Sequence, residues 1–171
     1  MRPDSEVLEF GCGTGTTAIS HAPFAGHILA IDFSEKMLVF ARARAKEAGV
    51  GNVSFKRVAI EEFDPEGRQF DMVMAHSILH LLPDRERVIS KVFDLLKPGG
   101  IFVSSTACMG EKSGIFKTLM TIGHSLGFLP LVKFFNSREL EKSIKSVGFE
   151  IIHQWQPEKD SAVFIIAKKP E

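Results

Sequence analysis

The chain has 171 residues, of which 44% are hydrophobic and 25% are charged. This length allows one substantial core and is too short for two ordinary domains, so a single domain over residues 1–171 is predicted. Lysine plus arginine and aspartate plus glutamate both number 21, which gives no net charge and disfavours a nucleic-acid partner. The N-terminus has no apolar signal segment and no apolar run is long enough for a membrane span, so a cytoplasmic location is expected.

Neither a metal site nor a disulfide framework is indicated. Cys12 and Cys108 lie far apart without CxxC or Cys/His spacing, so both are predicted to be reduced thiols. The histidines and acidic residues show no ligand spacing, and no metal is predicted. The clustered basic residues are interpreted as solvated charge and not as nucleic-acid patches. They are Arg42, Arg44, Lys46, Lys168 and Lys169.

The first third of the chain alternates strand-like runs with helical segments. A short apolar run stops at a glycine-rich turn over residues 11–15, after which a helix resumes. The second strand ends in Asp32, and Ser34 is placed to cap the next helix, for which Gly49 is a natural stop. The predicted strands are 7–10, 27–31 and 53–58. The first predicted helix begins at residue 16, and the second covers 35–48.

The rest of the chain continues this alternation and then changes character. A Lys-Pro-Gly-Gly break separates the third helix from the fifth strand. Residues 115–135 are apolar but interrupted by glycine and proline, so one helix and an irregular stretch are expected. The next helix begins at Asn136 or Ser137 and ends at Gly148. The predicted strands are 70–75, 101–105, 149–155 and 162–167, and the third helix covers 85–96.

Strands that alternate with helices at this spacing predict right-handed crossovers and a parallel sheet. The last two strands are separated only by turn residues over 157–160 and predict an antiparallel hairpin. The expected fold is therefore α/β and doubly wound, with a mainly parallel seven-stranded sheet, helices on both faces and an antiparallel C-terminal hairpin.

The glycine turn has the spacing G-x-G-x-G, from Gly11 through Gly13 to Gly15. A dinucleotide fingerprint needs a glycine one position later, where the chain has Thr16. Glu9, just before the turn, places a carboxylate that repels a pyrophosphate and can meet an ammonium group, directly or through water. Both features argue against NAD or FAD.

Asp32 stands at the carboxyl end of the second predicted strand. The same position in nucleotide-binding sheets carries a bidentate acceptor for two vicinal ribose hydroxyls. The alternative for Asp32 and Glu9 is loop solvation or turn capping, but their joint position around the glycine turn favours ligand binding. The predicted ligand therefore combines a ribose with a cationic group.

Four motifs follow one another in order along the chain. They are residues 9–15 (EFGCGTG), Asp32 with residues 34–38 (SEKML), residues 70–71 (FD) and residues 95–100 (LLKPGG). Together they resemble class I S-adenosylmethionine-dependent methyltransferases over nearly the whole chain, in the small-molecule branch that includes quinone-biosynthesis C-methyltransferases. The resemblance implies a Rossmann-like methyltransferase fold, S-adenosyl-L-methionine as cofactor and a small-molecule methyl acceptor.

Carried over by position, the resemblance assigns Asp32 to the ribose hydroxyls and Phe33 to the adenine. Where such enzymes often present an aspartate to the adenine amino group, this chain has Ala59, a loss of about 0.5 to 1.5 kcal/mol. Glu61 or Glu62 is a candidate to compensate. The segment at the adenine is Ala59, Ile60 and Glu61, and the residues lining the methionine and ribose are Gly11, Cys12, Gly13 and Gly15.

Ala75 and His76 follow the fourth strand, where the resemblance places residues beside the transferring methyl group. Methyl transfer from a sulfonium is an in-line displacement of an activated group, so no dedicated base is mandatory. For a poor nucleophile, His76 is the candidate catalytic base, with His80 as a second candidate that is more simply structural. The alternative for His76 is a strand-end residue satisfied by backbone groups.

Related enzymes usually carry one or two helices ahead of the first strand, and this sequence is expected to lack them. Either the sequence is part of a longer chain, or a lid comes from residues 115–135 or from a second subunit, which leaves a homodimer open. The first hypothesis is an active methyltransferase. The alternative is a non-catalytic cofactor-binding or scaffold protein with the same fold, and a nucleotide-dependent oxidoreductase is opposed by Glu9 and Thr16.

Overall fold

The computed structural model describes residues 1–108, 132–157 and 161–171. Its strands form one seven-stranded sheet in the order β3-β2-β1-β4-β5-β7-β6. The strands are β1 (Glu6–Phe10), β2 (His27–Asp32), β3 (Val53–Arg57), β4 (Phe70–His76), β5 (Leu96–Ala107), β6 (Glu150–Trp155) and β7 (Ala162–Lys168). The helices are α1 (Thr16–His21), α2 (Glu35–Glu47), α3 (Arg85–Leu95) and α4 (Ser137–Ser146).

The first five strands are parallel, and β7 is antiparallel to both β5 and β6. The chain runs outward from β1 through β2 to β3 and then returns to form β4 on the other side of β1. Strand order therefore reverses between β1 and β4, and in such sheets ligands bind outside the carboxyl ends of the strands at this reversal. The predicted doubly wound sheet with its antiparallel hairpin is confirmed.

The strongly buried strand β1 separates two apolar layers. Leu8 and Phe10 point toward the layer that contains α3 and α4, whereas Val7 packs with Ala18 of α1 and Leu38 of α2. Neighbouring residues of a strand point to opposite faces, so a short apolar strand can join both layers. The predicted helical cover on both faces is confirmed, and it holds the carboxyl end of β1 in place.

Helix α4 begins with a complete capping box. Asn136 is the N-cap, and its side chain accepts a hydrogen bond from Glu139 N at 2.9 Å. The Glu139 carboxylate in turn accepts one from Asn136 N at 2.8 Å. Of the two predicted starting residues, Asn136 is therefore the cap and Ser137 the first helical residue.

Two predictions about the segment between α3 and β5 are wrong. The helix ends at Leu95, not at residue 96, and β5 begins at Leu96, five residues before the predicted start. Leu96 pairs with Phe70 of β4, and beyond it Gly99 N donates to Lys169 O at 3.1 Å. Pairing with β4 and with the C-terminal segment extends the strand through residues that end a helix.

Lys169 was predicted to be a solvated charge, and this prediction is wrong. Its ammonium donates to Phe93 O and Leu96 O, both at 2.8 Å, and lies 4.6 Å from the centroid of the Phe93 ring. A cation at the end of a helix satisfies carbonyls that lack intrahelical partners. Lys169 therefore joins the last strand to the end of α3.

One helix and an irregular stretch were predicted over residues 115–135. Of this segment, residues 115–131 lie outside the described residues. Residues 158–160 of the predicted turn also lie outside them. At the described end of the first segment, Phe135 is buried with Leu140 and Ile144 of α4. Within the described ranges, no helix has both the length and the apolar character needed to traverse a bilayer.

Asp71 joins the amino ends of three strands. Its Oδ2 accepts hydrogen bonds from Glu6 N at 2.8 Å and from Lys97 Nζ at 2.9 Å. Burial alone raises the pKa of Asp71, but the hydrogen bond from Glu6 N–H and the Lys97 ammonium outweigh it and lower the pKa from its usual range. The ionised carboxylate thus contributes stability above the unfolded pKa, and that contribution is lost as the pH falls through the folded pKa.

We expect Asp71→Ala to lower the free energy of unfolding at pH 7 by about 1 to 3 kcal/mol, because Glu6 N–H loses its charged acceptor. Urea denaturation measures this change. The difference from the parent protein should shrink below about pH 4 as the carboxyl becomes protonated. Lys97→Met removes only an ammonium that is partly exposed and should cost less than about 1 kcal/mol. An equal loss in both variants would contradict this assignment.

Candidate active site

The glycine turn follows β1 directly and adopts left-handed backbone angles. Gly13 has φ +53°, and a Cβ added there would meet nothing within 4 Å. Gly15 has φ +74°, and a Cβ there would lie 3.0 Å from both Ala41 and Phe55. Gly15 is therefore required for packing against α2 and β3, whereas Gly13 borders open space that lets a ligand approach the backbone.

Gly11 and Cys12 attach the beginning of the turn to its surroundings. A Cβ at Gly11 would lie 2.7 Å from the Ile78 side chain, which follows β4. Cys12 N donates to Ile31 O of β2 at 3.1 Å. The turn is thus held between the carboxyl ends of β2 and β4, where the sequence predicted a ligand site.

Asp32 holds the turn from the end of β2. Its carboxylate is 8% exposed, with Oδ2 accepting a hydrogen bond from Gly13 N at 2.9 Å and Oδ1 accepting one from Ser34 N at 2.9 Å. The turn-capping alternative of the sequence analysis therefore describes part of its role. Each carboxylate oxygen can accept a further hydrogen bond, so capping does not use up its acceptor capacity.

Glu9 is a buried carboxylate on β1 that has little to satisfy it. The residue is 2% exposed, and Oε1 lies 3.8 Å from His76 Nδ1. Oε2 is buried and has no hydrogen-bond partner among the described residues. A buried carboxylate oxygen without a donor is costly, which indicates that a donor or a cation is supplied from outside the described residues.

Cys12 lies close to both carboxylates. Burial, together with the negative charges of Glu9 and Asp32, raises the pKa of its thiol to about 12. The turn therefore has a negative local potential, as expected for a site that binds a cation and not a diphosphate. Cys12 and Cys108 are both free thiols, and burial raises the pKa of Cys108 to about 11.

Arg44 is exposed, as predicted for a solvated charge, but it also contacts the glycine turn. Its Nη1 donates to Thr14 Oγ1 at 3.0 Å and to Thr16 Oγ1 at 2.7 Å, so α2 holds the outer side of the turn. Nothing in the local sequence pattern indicates this contact, because it joins residues that are 28 and 30 positions apart. Arg44 is a turn residue that the sequence analysis missed.

His76 is the last residue of β4, two positions after Met74, which pairs with Glu9 of β1. Its side chain is 24% exposed, and Nδ1 has no hydrogen-bond partner among the described residues. Ser77 then takes a left-handed φ of 55°, which costs a residue other than glycine on the order of 1 kcal/mol. Its N–H donates to Ser105 O at 2.7 Å, and this bond holds the bend immediately after His76.

His80 lies farther along, in a short 3-10 turn over Leu79–Leu81. Burial lowers its pKa, so the imidazole is neutral near pH 7, and Nδ1 has no partner in the described part of the chain. Its carbonyl accepts a hydrogen bond from Lys133 N at 2.7 Å. A structural role for His80 stays a prediction.

The residues predicted to surround the adenine are brought to one side of Asp32. Phe33 is 70% exposed, and Val58 N donates to Asp32 O at 3.0 Å, which places the segment after β3 beside it. Ile60 is buried in the core and Glu61 is exposed. Ile60 can therefore offer only its backbone to a ligand.

Ala75 and the acidic residues complete the comparison with the predicted site. Ala75 is fully buried in β4, so its side chain belongs to the core.

In residues 1–108, 132–157 and 161–171, no group of three or more His, Cys, Asp or Glu side chains is arranged to hold a metal ion.

Residues 2–162 match the family model described as a methyltransferase domain. The chain belongs to this family. Two similar curated proteins are ubiquinone biosynthesis O-methyltransferases. The protein from Acinetobacter baylyi is 30% identical over 152 residues, which cover 85% of this chain, and that from Hahella chejuensis is 32% identical over 155 residues, which cover 87%. The chain spans 63% and 64% of their lengths, respectively.

Solved structures share the fold of this methyltransferase domain. The N-methyltransferase NodS from Bradyrhizobium japonicum, in complex with S-adenosyl-L-homocysteine, has a TM-score of 0.73 and 19% identity, covering 98% of this chain and 79% of NodS. An S-adenosylmethionine-dependent methyltransferase from Mesorhizobium loti has a TM-score of 0.80 and 20% identity, covering 97% and 91%. The [4+2]-cyclase SpnF has a TM-score of 0.83 and 19% identity, covering 99% and 76%. At these identities the likeness establishes the fold alone.

The raised thiol pKa values lead to a measurable pH dependence. At pH 8 the thiolate fraction of Cys12 should be on the order of 10⁻⁴, so iodoacetamide should react slowly with the folded chain. The rate should keep rising by about tenfold per pH unit between pH 8 and 10, whereas an ordinary thiol levels off. A Cys108→Ala background isolates Cys12, and denaturant should restore rapid reaction. A rate that levels off near pH 9 in the folded protein would contradict the assignment.

Arg44→Ala should loosen the glycine turn without unfolding the domain. Two hydrogen bonds to threonine hydroxyls are lost, so the Gly15 amide, which donates to Cys12 O, should exchange with solvent about threefold to fivefold faster. Hydrogen exchange measured by NMR tests this. The control is Arg42→Ala, because Arg42 lies on the same helix but pairs with Glu35 and not with the turn. Equal acceleration in both variants would show that Arg44 has no specific effect.

Proposed function

We propose that residues 1–171 form one domain that binds S-adenosyl-L-methionine and directs its methyl group to a small-molecule acceptor. The observation that carries this proposal is the buried Glu9 Oε2, which has no partner among the described residues and lies on the strand leading into the glycine turn. A cationic amino group at that oxygen satisfies both its charge and its acceptor capacity. Family membership supports the same cofactor.

The residues of the turn fit the rest of this cofactor. Asp32 retains acceptor capacity for two ribose hydroxyls while it holds Gly13 and Ser34. The open space at Gly13 allows a ligand to lie against the backbone. Gly11, Cys12 and Gly15 are proposed to line the methionine and ribose through the backbone of the same turn. When bound, the cofactor supplies a methyl group already activated on a sulfonium.

The adenine end is proposed to lie against Phe33, whose ring is largely exposed. Ala59 provides no acceptor for the adenine amino group, so Glu61 is the proposed substitute from its exposed position, and Ile60 contributes backbone only. Recognition of the base should therefore be weaker than that of the ribose and the amino group. The buried Ala75 is proposed to face the methionine part through its backbone.

His76 is the proposed base for the acceptor. Glu9 Oε1, at 3.8 Å from Nδ1, favours a ring orientation in which Nδ1 faces Glu9 and Nε2 is available for the proton of an acceptor hydroxyl. Such catalytic hydrogen bonds are often long before ligands bind and shorten in the complex. The same Glu9 carboxylate would thus face the cofactor with one oxygen and His76 with the other.

The proposed acceptor is a phenolic oxygen. The similar proteins from Acinetobacter baylyi and Hahella chejuensis are named ubiquinone biosynthesis O-methyltransferases. A phenol loses its proton readily, so one histidine base and accurate alignment are enough. A cytoplasmic location and a second copy of the chain as part of the acceptor site remain predictions.

The second candidate is a protein that binds the cofactor without methyl transfer. SpnF has a closely similar fold and is named a [4+2]-cyclase, so the fold does not determine the reaction. The absence of an acidic side chain at Ala59 also favours weaker cofactor binding. Under this alternative, the turn residues matter for binding, and His76 has no effect on any rate.

Three substitutions test the proposed roles. Glu9→Gln and Asp32→Ala should each weaken S-adenosylmethionine binding by about 10-fold to 100-fold, since each removes a charged hydrogen-bond partner. His76→Ala should leave affinity within about twofold but lower the rate of methylation by about 100-fold. Calorimetry gives the affinities, and labelled methyl transfer to quinol, phenol and amine acceptors gives the rates.

Glu6→Gln is the matched control, because Glu6 begins the same strand but pairs with His27 far from the turn. Its affinity should equal that of the parent protein. Failure of the parent to bind the cofactor would refute the proposal, and equal affinities for Asp32→Ala and the parent would refute the ribose assignment. Tight binding without turnover of any acceptor in the panel would favour the non-catalytic alternative.

A further inference from the structure

A groove of about 490 Å³ lies between the start of α3 and the face of α4. None of the glycine-turn residues or acidic residues of the proposed cofactor site contributes to its lining. The groove is therefore separate from the features that support cofactor binding. The lining residues used below are Leu82, Pro83, Arg85, Lys133, Lys142 and Ser143.

The lining carries cations whose charge is not balanced locally. Lys133 and Lys142 are exposed, and among the described residues neither ammonium group has a hydrogen bond or an ion pair. The two acids of the lining are engaged, because Glu86 binds Arg85 and Ser143 and Glu139 holds the Asn136 N–H. The lining therefore has two ammonium groups without a partner among the described residues, whereas both of its carboxylates are already paired.

Arg85 contributes an immobilised positive charge to the lining of the groove. Its side chain is 13% exposed, and Nη2 donates to Glu86 and to Ser143 Oγ. The guanidinium also lies 4.0 Å from the centroid of the Phe135 ring, which limits its movement. Because the guanidinium is always charged, Arg85 keeps its positive charge at the groove whatever the pH.

The lining of the groove also includes apolar residues. They are Leu82 and Pro83, which precede α3, and Phe134 and Phe135, which precede α4. Lys133 N donates to His80 O at 2.7 Å, and this bond joins the segments before the two helices. An apolar body can therefore pack on these residues while an acidic group meets the cations of the lining.

We infer that this groove binds an organic monoanion with a flat apolar body, of the class of aromatic carboxylates. A carboxylate complements the positive charges of Arg85, Lys133 and Lys142, which outnumber the two acids of the lining, and the apolar lining residues accommodate a ring. This inference does not rest on methyl transfer, because no residue of the proposed cofactor site takes part.

The test compares three probes on the full chain without cofactor. Benzoate carries both the ring and the charge, benzamide carries the ring alone, and inorganic phosphate carries charge alone. Amide shifts in NMR titrations should show saturable benzoate binding at the start of α3 and along α4. Benzamide and phosphate should bind at least about tenfold more weakly, because each lacks one of the two interactions.

Lys133→Ala and Lys142→Ala should each weaken benzoate binding by about threefold or more, since each removes an unpaired cation from the lining. Lys36→Ala is the matched control, because Lys36 is exposed on α2 and does not line the groove, and it changes the net charge equally. Its benzoate affinity should be unchanged. Thermal unfolding checks that all three variants keep the parent's fold.

Four outcomes would overturn the inference. The first is no saturation by benzoate, and the second is equal weakening in the Lys36→Ala control. The third is phosphate binding as strong as benzoate binding, which would reveal an adventitious ion only. Amide shifts confined to the glycine turn would show that benzoate binds at the proposed cofactor site, and this result would also contradict binding in the groove. A loss of cofactor binding has no bearing on this result, so the two proposals fail independently.

Discussion

The buried carboxylate of Glu9 is the constraint on which the carboxyl edge of the sheet depends. The core on both faces of β1 removes this side chain from water, yet Oε2 has no donor among the described residues. Burial of an unsatisfied charged oxygen costs more than a typical hydrogen bond returns, so the fold keeps it only because another requirement is met there. In the proposed complex, a ligand with a cationic amino group meets that requirement, and the same carboxylate lies 3.8 Å from His76 Nδ1.

Asp32 complements Glu9 by giving the turn its shape. The hydrogen bonds from Gly13 N and Ser34 N connect the glycine turn, the end of β2 and the start of α2 through one carboxylate. A substitution there therefore changes both the geometry of the turn and the chemistry offered to a ribose. The groove beside α3 uses a different principle, since its charge comes from exposed lysines and a fixed arginine and not from strand ends.

Local patterns in the chain were enough to predict most of the fold. Alternating strands and helices, the Asn136 capping box and the closing hairpin are all confirmed, because each depends on residues close together in sequence. The predicted start of β5 was wrong because the true start depends on residues that are far apart in sequence. Lys-Pro-Gly-Gly does end α3, but pairing of Leu96 with Phe70 and of Gly99 with Lys169 continues the strand through it, and no local pattern contains those partners.

The candidate site divides along the same line. Glycine spacing and the order of Glu9 and Asp32 were enough to predict a nucleoside-type turn from sequence alone, because backbone angles and charge signs are properties of individual residues. The contacts of Arg44 with Thr14 and Thr16, the strained Ser77 and the approach of Glu9 to His76 came from folding, which brings distant segments within 4 Å. Residue types define which chemistry is available, whereas packing of the strand ends determines which groups meet and which remain without a partner.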